Sequence, residues 1–474
     1  MTSHNDLWQE EQRALEQLRL RRPELFGQSE RPSQEQLLKH AGIETISGNL
    51  PEGYYRLFPQ DFIVEEVAPD GTICTVEIDE PSVPPEAVDI RTLYCELVKV
   101  GMYTLEARQR LASALGIPPE QIGYAGIKDA VALTGQRISL RKVTYEQIAQ
   151  LAIPGIALKH FSYGSGVVSV GELSGNRFTI LVRTNGMIDQ QWLADMMDHV
   201  QMHGVPNYYG LQRFGSRYSM HTVGRKLLRG DYAGALRAFL TGTNGTEAAY
   251  VADTRKRADA LYGNWRDMEK IFLELPYTFR NQLQLVRYLM THADDVMGAL
   301  QGFSEQVRLW VYAYVSYLFN KKLSQLLEAN APLPGALPLL FNEEGPQEYE
   351  DLLREDQTAE FRSHIQAFPF VRPSAREVPT LVAPEMHFWQ ATEEGVILSF
   401  TLPKAAYATT ILTYLFQLET GLPVPPWVSL GERDILAIAG LGSIESAVAK
   451  FGKDIFSHAE QARKSLESRE GPVE

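Results

Sequence analysis

The chain has 474 residues, 44% hydrophobic and 22% charged, which is ordinary for a globular protein and long enough for two or three domains with full cores. Its 45 basic and 59 acidic side chains give a net charge of −14, which argues against a surface that binds nucleic acid everywhere and makes local patches the informative feature. The longest apolar helix-like run, Leu309–Phe319, is too short to span a bilayer, and the opening MTSHNDLWQEEQ lacks signal-peptide regions, so a cytoplasmic location and no membrane partner are expected.

Residues 1–49 read as an amphipathic helical lead, with Leu7, Leu15, Leu18 and Leu20 among Glu, Gln and Arg and a break at Pro23. Strand character begins after Leu50: Tyr54–Leu57, Phe62–Val67 and Thr72–Ile78 alternate or run apolar between turn residues. On residue type alone Arg56 is a surface cation and Phe62 a core aromatic. A strand is expected at Leu93–Val100 and a helix at Leu105–Leu115, and the cysteines, Cys74 and Cys95, sit in strand-like runs as buried thiols. The stretch Gly123–Arg137, GYAGIKDAVALTGQR, then holds a single acid, Asp129. Glycine allows a ligand close to the backbone, and an isolated carboxylate there can stay charged and act as a nucleophile. A turn or cap residue is the plainer reading of the same composition.

Val170–Thr184 runs from a turn into a strand, and its Gly175-Asn176 pair by itself suggests a hairpin turn. Asp189–Met202 is helical in pattern. His199 and His203 stand at i and i+4, but Val200 replaces the Glu of a zinc-protease helix and no third ligand is evident, so no metal is expected. The sequon-like Asn244-Gly245-Thr246 has no secretory context. Between Asn207 and Arg229, five cations, Arg213, Arg217, Arg225, Lys226 and Arg229, occur without an acidic residue. Interleaved with Tyr208 and Tyr209, they suit phosphate contact and stacking on unpaired bases; an ordered loop with inward-packed aromatics is the alternative. Residues 216–330 are mostly helical in pattern, whereas Glu343–Glu360 carries eight acids against Arg354 alone and reads as solvated surface. Strands return at Met386–Gln390 and Val396–Phe400, and residues 434–474 form a tail with a mixed-charge, helix-like end.

Five stretches, in order, resemble the motifs of the TruD-type tRNA pseudouridine synthases. Arg56–Glu66 matches basic–x–x–Pro–Glu–Asp–Phe–x–Val–x–Glu, with Gln60 in place of the usual Glu. Gly126, Lys128, Asp129, Ala132, Thr134 and Gln136 match the family signature, and Gly175, Asn176 and Phe178 a glycine–Asn–x–Phe motif. VPNYYGLQRFG at 205–215 is nearly the family's wording, and LPKAAYATT at 402–410 resembles its closing motif, with Ala405 where Gly is usual. The resemblance covers about residues 50–430 and implies an α+β fold. A pseudouridine-synthase catalytic domain with a curved mixed sheet, at 50–206 and 380–433, would be interrupted by an α-rich TRUD insertion domain at 207–379. Residues 1–49 and 434–474 would be N-terminal and C-terminal extensions.

The resemblance further implies that Asp129 is the catalytic residue, with Arg56 beside it. On a strand, Lys128 and Asp129 would point to opposite faces, which favours Arg56 as the partner. Phe62, Asn176, Phe178 and Tyr407 are implied at the target base and Lys99 among the substrate-binding residues; the cations of 213–229 are expected on the RNA from their own clustering. The expected reaction converts a uridine of tRNA, position 13 in the usual bacterial case, to pseudouridine without metal or cofactor. A monomer is expected. A tRNA-binding protein of the same fold that has lost catalysis is the second reading.

Overall fold

The computed structural model describes residues 4–27, 32–46, 50–80, 83–85, 91–372, 374–404, 406–421 and 424–452; Ala405 of the closing motif and most of the expected C-terminal tail lie outside them. Ten strands form one mixed sheet. They are β1 (Glu52–Tyr55), β2 (Phe62–Val67), β3 (Thr92–Lys99), β4 (Ile122–Tyr124), β5 (Leu133–Arg141), β6 (Ile156–Gly164), β7 (Gly175–Thr184), β8 (Glu385–Ala391), β9 (Gly395–Pro403) and β10 (Gln417–Glu419). The main order is β8-β9-β7-β2-β5-β3-β6, with β1 joining β7 and β10, and β4 on β5. β2 runs parallel to β5 and antiparallel to β7.

Strand β2 is buried at Phe62 through Glu66 because both faces of the sheet are covered. Alternation sends Phe62 and Val64 to one side and Ile63 to the other. On the first side they join Phe178, Ile180 and Phe400, together with Leu193, Met197 and Val200 of the helix Gln190–His203 and Ile411, Leu412 and Leu415 of the helix Ala408–Leu415. On the second, Ile63 packs with Val98, Leu133, Leu181 and Ile397. That side is closed by the helices Ile435–Ala439 and Glu445–Phe451, which bury Ile435, Leu436, Ala447 and Phe451. The first part of the C-terminal tail is therefore core material.

The chain divides into two compact units, residues 48–205 with 382–474, and residues 1–47 with 206–381. The first contains the sheet. The second is α-helical around one core, in which the helix Ser304–Glu328 buries Trp310, Tyr314, Leu318 and Phe319. The apolar run at Leu309–Phe319 is thus a core helix. Leu38, Ala41 and Ile43 of the N-terminal lead enter the same core.

Most expected elements fall within a residue or two of the observed ones. Thr72–Ile78 does not: it makes only one isolated bridge, Val67 to Ile73. The segment crosses over the sheet instead of joining it, and a Cβ on Gly135 of β5 would meet the Cys74 carbonyl at 2.0 Å. Both cysteines are buried free thiols. Among the described residues no helix is long and apolar enough to cross a membrane.

If the tail helices hold the second face of the sheet closed, Leu436→Ala, at a site with 0% exposure, should destabilise the protein by about 2–5 kcal/mol, the usual cost of an unfilled leucine site. Denaturant unfolding measures this, and a loss below about 0.5 kcal/mol, the level of a surface change, would show that the tail is only draped on the sheet.

Candidate active site

Asp129 lies in the connection between β4 and β5, residues 125–132. Neither it nor Lys128 is on a strand, so the strand argument for their divergence does not apply. The side chains diverge all the same, because each has its own partner. The Lys128 ammonium reaches the Glu66 carboxylate of β2 at 2.6 Å, with side-chain exposures of 4% and 1%. The Asp129 carboxylate is paired with the Arg56 guanidinium, a contact in which both groups are only partly exposed.

The other residues of the signature fix this connection. The Thr104 hydroxyl accepts from the Lys128 backbone N–H at 2.8 Å and donates to the Gln136 side-chain oxygen at 2.8 Å. The Gln136 amide donates in turn to the Gly126 carbonyl at 3.1 Å. A Cβ on Gly126 would stand 3.1 Å from the Lys128 ammonium, so glycine leaves room for the buried pair. Glu66 also accepts from the Arg137 backbone N–H at 3.1 Å through its second oxygen.

Arg56 sits between β1 and β2 with φ of +63°, a conformation a residue bearing a Cβ adopts only when its surroundings demand it. Its guanidinium lies 4.1 Å from the centre of the Phe62 ring and 5.3 Å from that of Tyr55. A cation over an aromatic face is attracted to it, so Phe62 acts as a floor for Arg56. Phe62 meets Phe178 edge-on at 6.2 Å, and Phe178 is tilted against Phe400 at 5.8 Å. Asn176 stands at the start of β7, opposite Glu66 on one side and Leu402 on the other. It is a strand residue, not the apex of a hairpin. Its Oδ1 is buried without a hydrogen-bond partner, as is the Nε of Arg56; such atoms are uncommon in folded proteins and mark places where a ligand can supply the bond. Tyr407, immediately before the helix Ala408–Leu415, is 39% exposed.

Two expectations need correction. Lys99 does not present its ammonium to a substrate: it is fully buried and donates to the carbonyls of Asp129 and Met102, both at 2.8 Å. It positions the backbone of the aspartate. The cations of 213–229 are not free of acidic partners. Arg225 pairs with Asp356 at 2.9 Å, while Lys226 and Arg229 share Asp231 at 3.0 and 3.4 Å. Arg217 is mostly buried and donates to the Gly242 carbonyl at 2.5 Å, and Arg213 donates to Ser316 at 3.0 Å beside Tyr209. Arg213 and Arg217 serve the fold, and the surface charge of the stretch is largely matched by acids outside it. His199 and His203 have ring centres 4.9 Å apart, and among the described residues no group of three potential ligands is placed to hold a metal ion.

The sequence reading missed the other buried ion pairs of β2. Asp61, just before the strand, receives two bonds from Arg183 at 2.8 and 3.0 Å with both side chains at 0% exposure, and Glu65 meets Arg177 at 2.6 Å. Three acids within six residues of an apolar strand, and two arginines six apart on β7, were the available signal.

The model of the family described as tRNA pseudouridine synthase D (TruD) matches residues 46–375. The chain belongs to the TruD family. A tRNA pseudouridine synthase D of Geotalea daltonii is 29% identical over 406 residues, covering 77% of this chain and 98% of its own. One from Geobacter sulfurreducens is 28% identical over 400 residues, covering 76% and 93%. A crystal structure of a TruD protein from Methanosarcina mazei aligns with a TM-score of 0.62 at 22% identity, over 80% of this chain and 97% of that one, and so supports the fold. The family match ends before the closing motif; the pairing of Leu402 with Asn176 places that motif beside β7.

Burial pushes the Lys99 ammonium down from the usual 10.5 to about 7, with the Asp129 carboxylate opposing the shift. Between these values the unfolded chain binds more protons than the folded one, so stability rises with pH across the window from about 7 to 10. Lys99→Met removes that dependence. In denaturant unfolding, the stability of the wild type relative to the variant should therefore be greater at about pH 9 than at about pH 6.5; a difference independent of pH would contradict the burial argument.

Proposed function

We propose that this chain converts a uridine of tRNA, at position 13 in the family's usual case, to pseudouridine, with Asp129 as nucleophile and no cofactor. The observation that carries the reading is the Asp129 carboxylate held by Arg56 above Phe62, on a connection fastened to β2 and β3. The product differs from the substrate only in connectivity: the N1–C1′ bond breaks, a C5–C1′ bond forms, C5 loses a proton and N1 carries one. Oxidation state and atom count are unchanged, so the reaction calls for no redox partner or group donor.

A carboxylate can act by adding to C6 of the uracil or by meeting the charge that develops at C1′. Either route needs the Asp129 carboxylate aimed at the reacting atom, which is the part given to Arg56. The released base must turn without escaping, which asks for an extruded nucleotide in an aromatic-walled pocket. Phe62, Phe178 and Tyr407 are assigned to the walls, and the unpartnered Oδ1 of Asn176 to a hydrogen bond with the nucleotide. Lys99 supports the site from beneath. The partly exposed members of the basic stretch, Arg225, Lys226 and Arg229, are assigned to phosphates of the tRNA, with the chain acting as a cytoplasmic monomer.

Asp129→Asn keeps the shape of the side chain and removes its nucleophilic charge. Pseudouridine formation on tRNA should fall at least about a thousandfold while tRNA affinity stays within about threefold of wild type. Mapping of pseudouridine in the product RNA gives both the rate and the position modified. Turnover within tenfold of wild type would remove Asp129 from the chemistry.

A further inference from the structure

A cavity of about 380 Å³ lies within the unit formed by residues 1–47 and 206–381, lined by residues that the proposed reaction does not use, Arg255, Arg280 and Gln282 among them. Its size falls in the range of roughly 300–1,000 Å³ seen for small-molecule sites. Three helices begin at it, Met220–Leu228, Ala249–Ala260 and Arg280–Thr291, and each contributes first-turn residues to the lining. The start of a helix carries unsatisfied N–H groups and a partial positive charge. None of the three has a side-chain N-cap bond or an acidic residue in its first turn. By contrast the helices Tyr232–Thr241, Trp265–Phe272 and Val296–Gly302 of the same unit are capped by Asp231, Asn264 and Asp295.

Side-chain charge points the same way. Arg217, Arg255 and Arg280 line the cavity against one carboxylate, Glu247. That carboxylate is engaged by the backbone N–H groups of Asn244 and Gly245 at 3.2 and 3.1 Å, and lies 3.5 Å from Arg217. The nearby Glu11 is held by Thr278 at 2.6 and 2.7 Å. Arg255 is 4% exposed; its Nη1 donates to the Phe239 and Leu240 carbonyls at 3.0 Å, and its Nε has no partner. Gln282, also 4% exposed, has an unpartnered Oε1. Two buried polar groups with unmet bonding capacity therefore border a cavity whose charged lining is three cations to one anion. Leaving such groups unpaired is costly. The rest of the lining is mixed: polar side chains such as Ser216, Thr246 and Asn281 stand beside the apolar Met220, Val223 and Phe239.

We propose that this cavity binds the phosphate monoester group of a nucleotide, held by the arginines and the uncapped helix starts. The excess of two positive side-chain charges, three minus one, matches a phosphate monoester, which carries about −1.5 to −2 near neutral pH. Helix starts and paired guanidinium groups are both suited to that dianion. The nucleotide is either free or the 5′-phosphorylated end of an RNA strand, which present the same chemistry.

Calorimetric titration of the full chain with adenosine 5′-monophosphate tests the proposal; adenine avoids a probe that the uridine site would also attract. Saturable one-to-one binding is expected. It should weaken about tenfold in Arg255→Lys, which loses the planar set of donors, and in Arg280→Ala, as for loss of one charge-assisted bond. Arg280 is exposed, so its variant stays informative if the buried substitution unfolds the protein. Adenosine should bind at least about tenfold more weakly than the monophosphate. Competition by a short 5′-phosphorylated RNA assigns the site to an RNA end, and its failure assigns the site to free nucleotide. No binding at millimolar probe, equal binding of adenosine, or affinity unchanged in both variants overturns the proposal.

Discussion

The buried pair of Lys128 and Glu66 is the constraint on which the site depends. Taking both charges out of water is expensive, and their attraction offsets that cost only with close geometry and further hydrogen bonds. Both conditions are met: the ions are 2.6 Å apart, and the second oxygen of Glu66 receives the Arg137 N–H. What the pair secures is the position of one residue. With Lys128 fastened to β2, its neighbour Asp129 is delivered to Arg56, which precedes the same strand. Carboxylate and cation are thereby referred to a single rigid element, the condition under which a reacting group can be held in place.

The sheet carries this arrangement because β2 is covered on both faces. Asp61, Glu65 and Glu66 are all buried, and each has a cation: Arg183, Arg177 and Lys128. Removing one partner of such a pair leaves a buried charge, which is more damaging than removing both. Lys99 adds a bond from β3 to the Asp129 carbonyl, so the connection is gripped by its two flanking strands. The strained φ of Arg56 and the unpartnered atoms of Arg56 and Asn176 are the places where local rules are broken. Functional sites are where such exceptions gather.

Much of the frame was legible in the chain. Phe62–Val67, the helix after Asp189 and the core helix around Trp310 follow from the apolar pattern of their own residues. Thr72–Ile78 misled because a segment crossing a sheet buries alternate residues much as a strand does. Asp129 and Arg56 were readable through motif wording, not through composition. The parts that hold them were hidden, since Glu66 and Lys128 are 62 positions apart and Lys99 is 30 from Asp129. A lysine that serves two carbonyls looks the same in sequence as one that serves a phosphate. The basic stretch deceived for a related reason: Arg225 finds its acid 131 positions downstream, at Asp356.

The most direct test of the account is the single-turnover rate of pseudouridine formation by Arg56→Gln, measured with its affinity for tRNA. Glutamine retains a donor and can still lie over Phe62, but carries no charge. If Arg56 aims the Asp129 carboxylate, the rate should fall by about a hundredfold or more, as when one preorganised electrostatic contact is lost, with tRNA affinity within about threefold. A rate within tenfold of wild type in a folded variant would contradict it, and would mean that Asp129 acts without its ion pair.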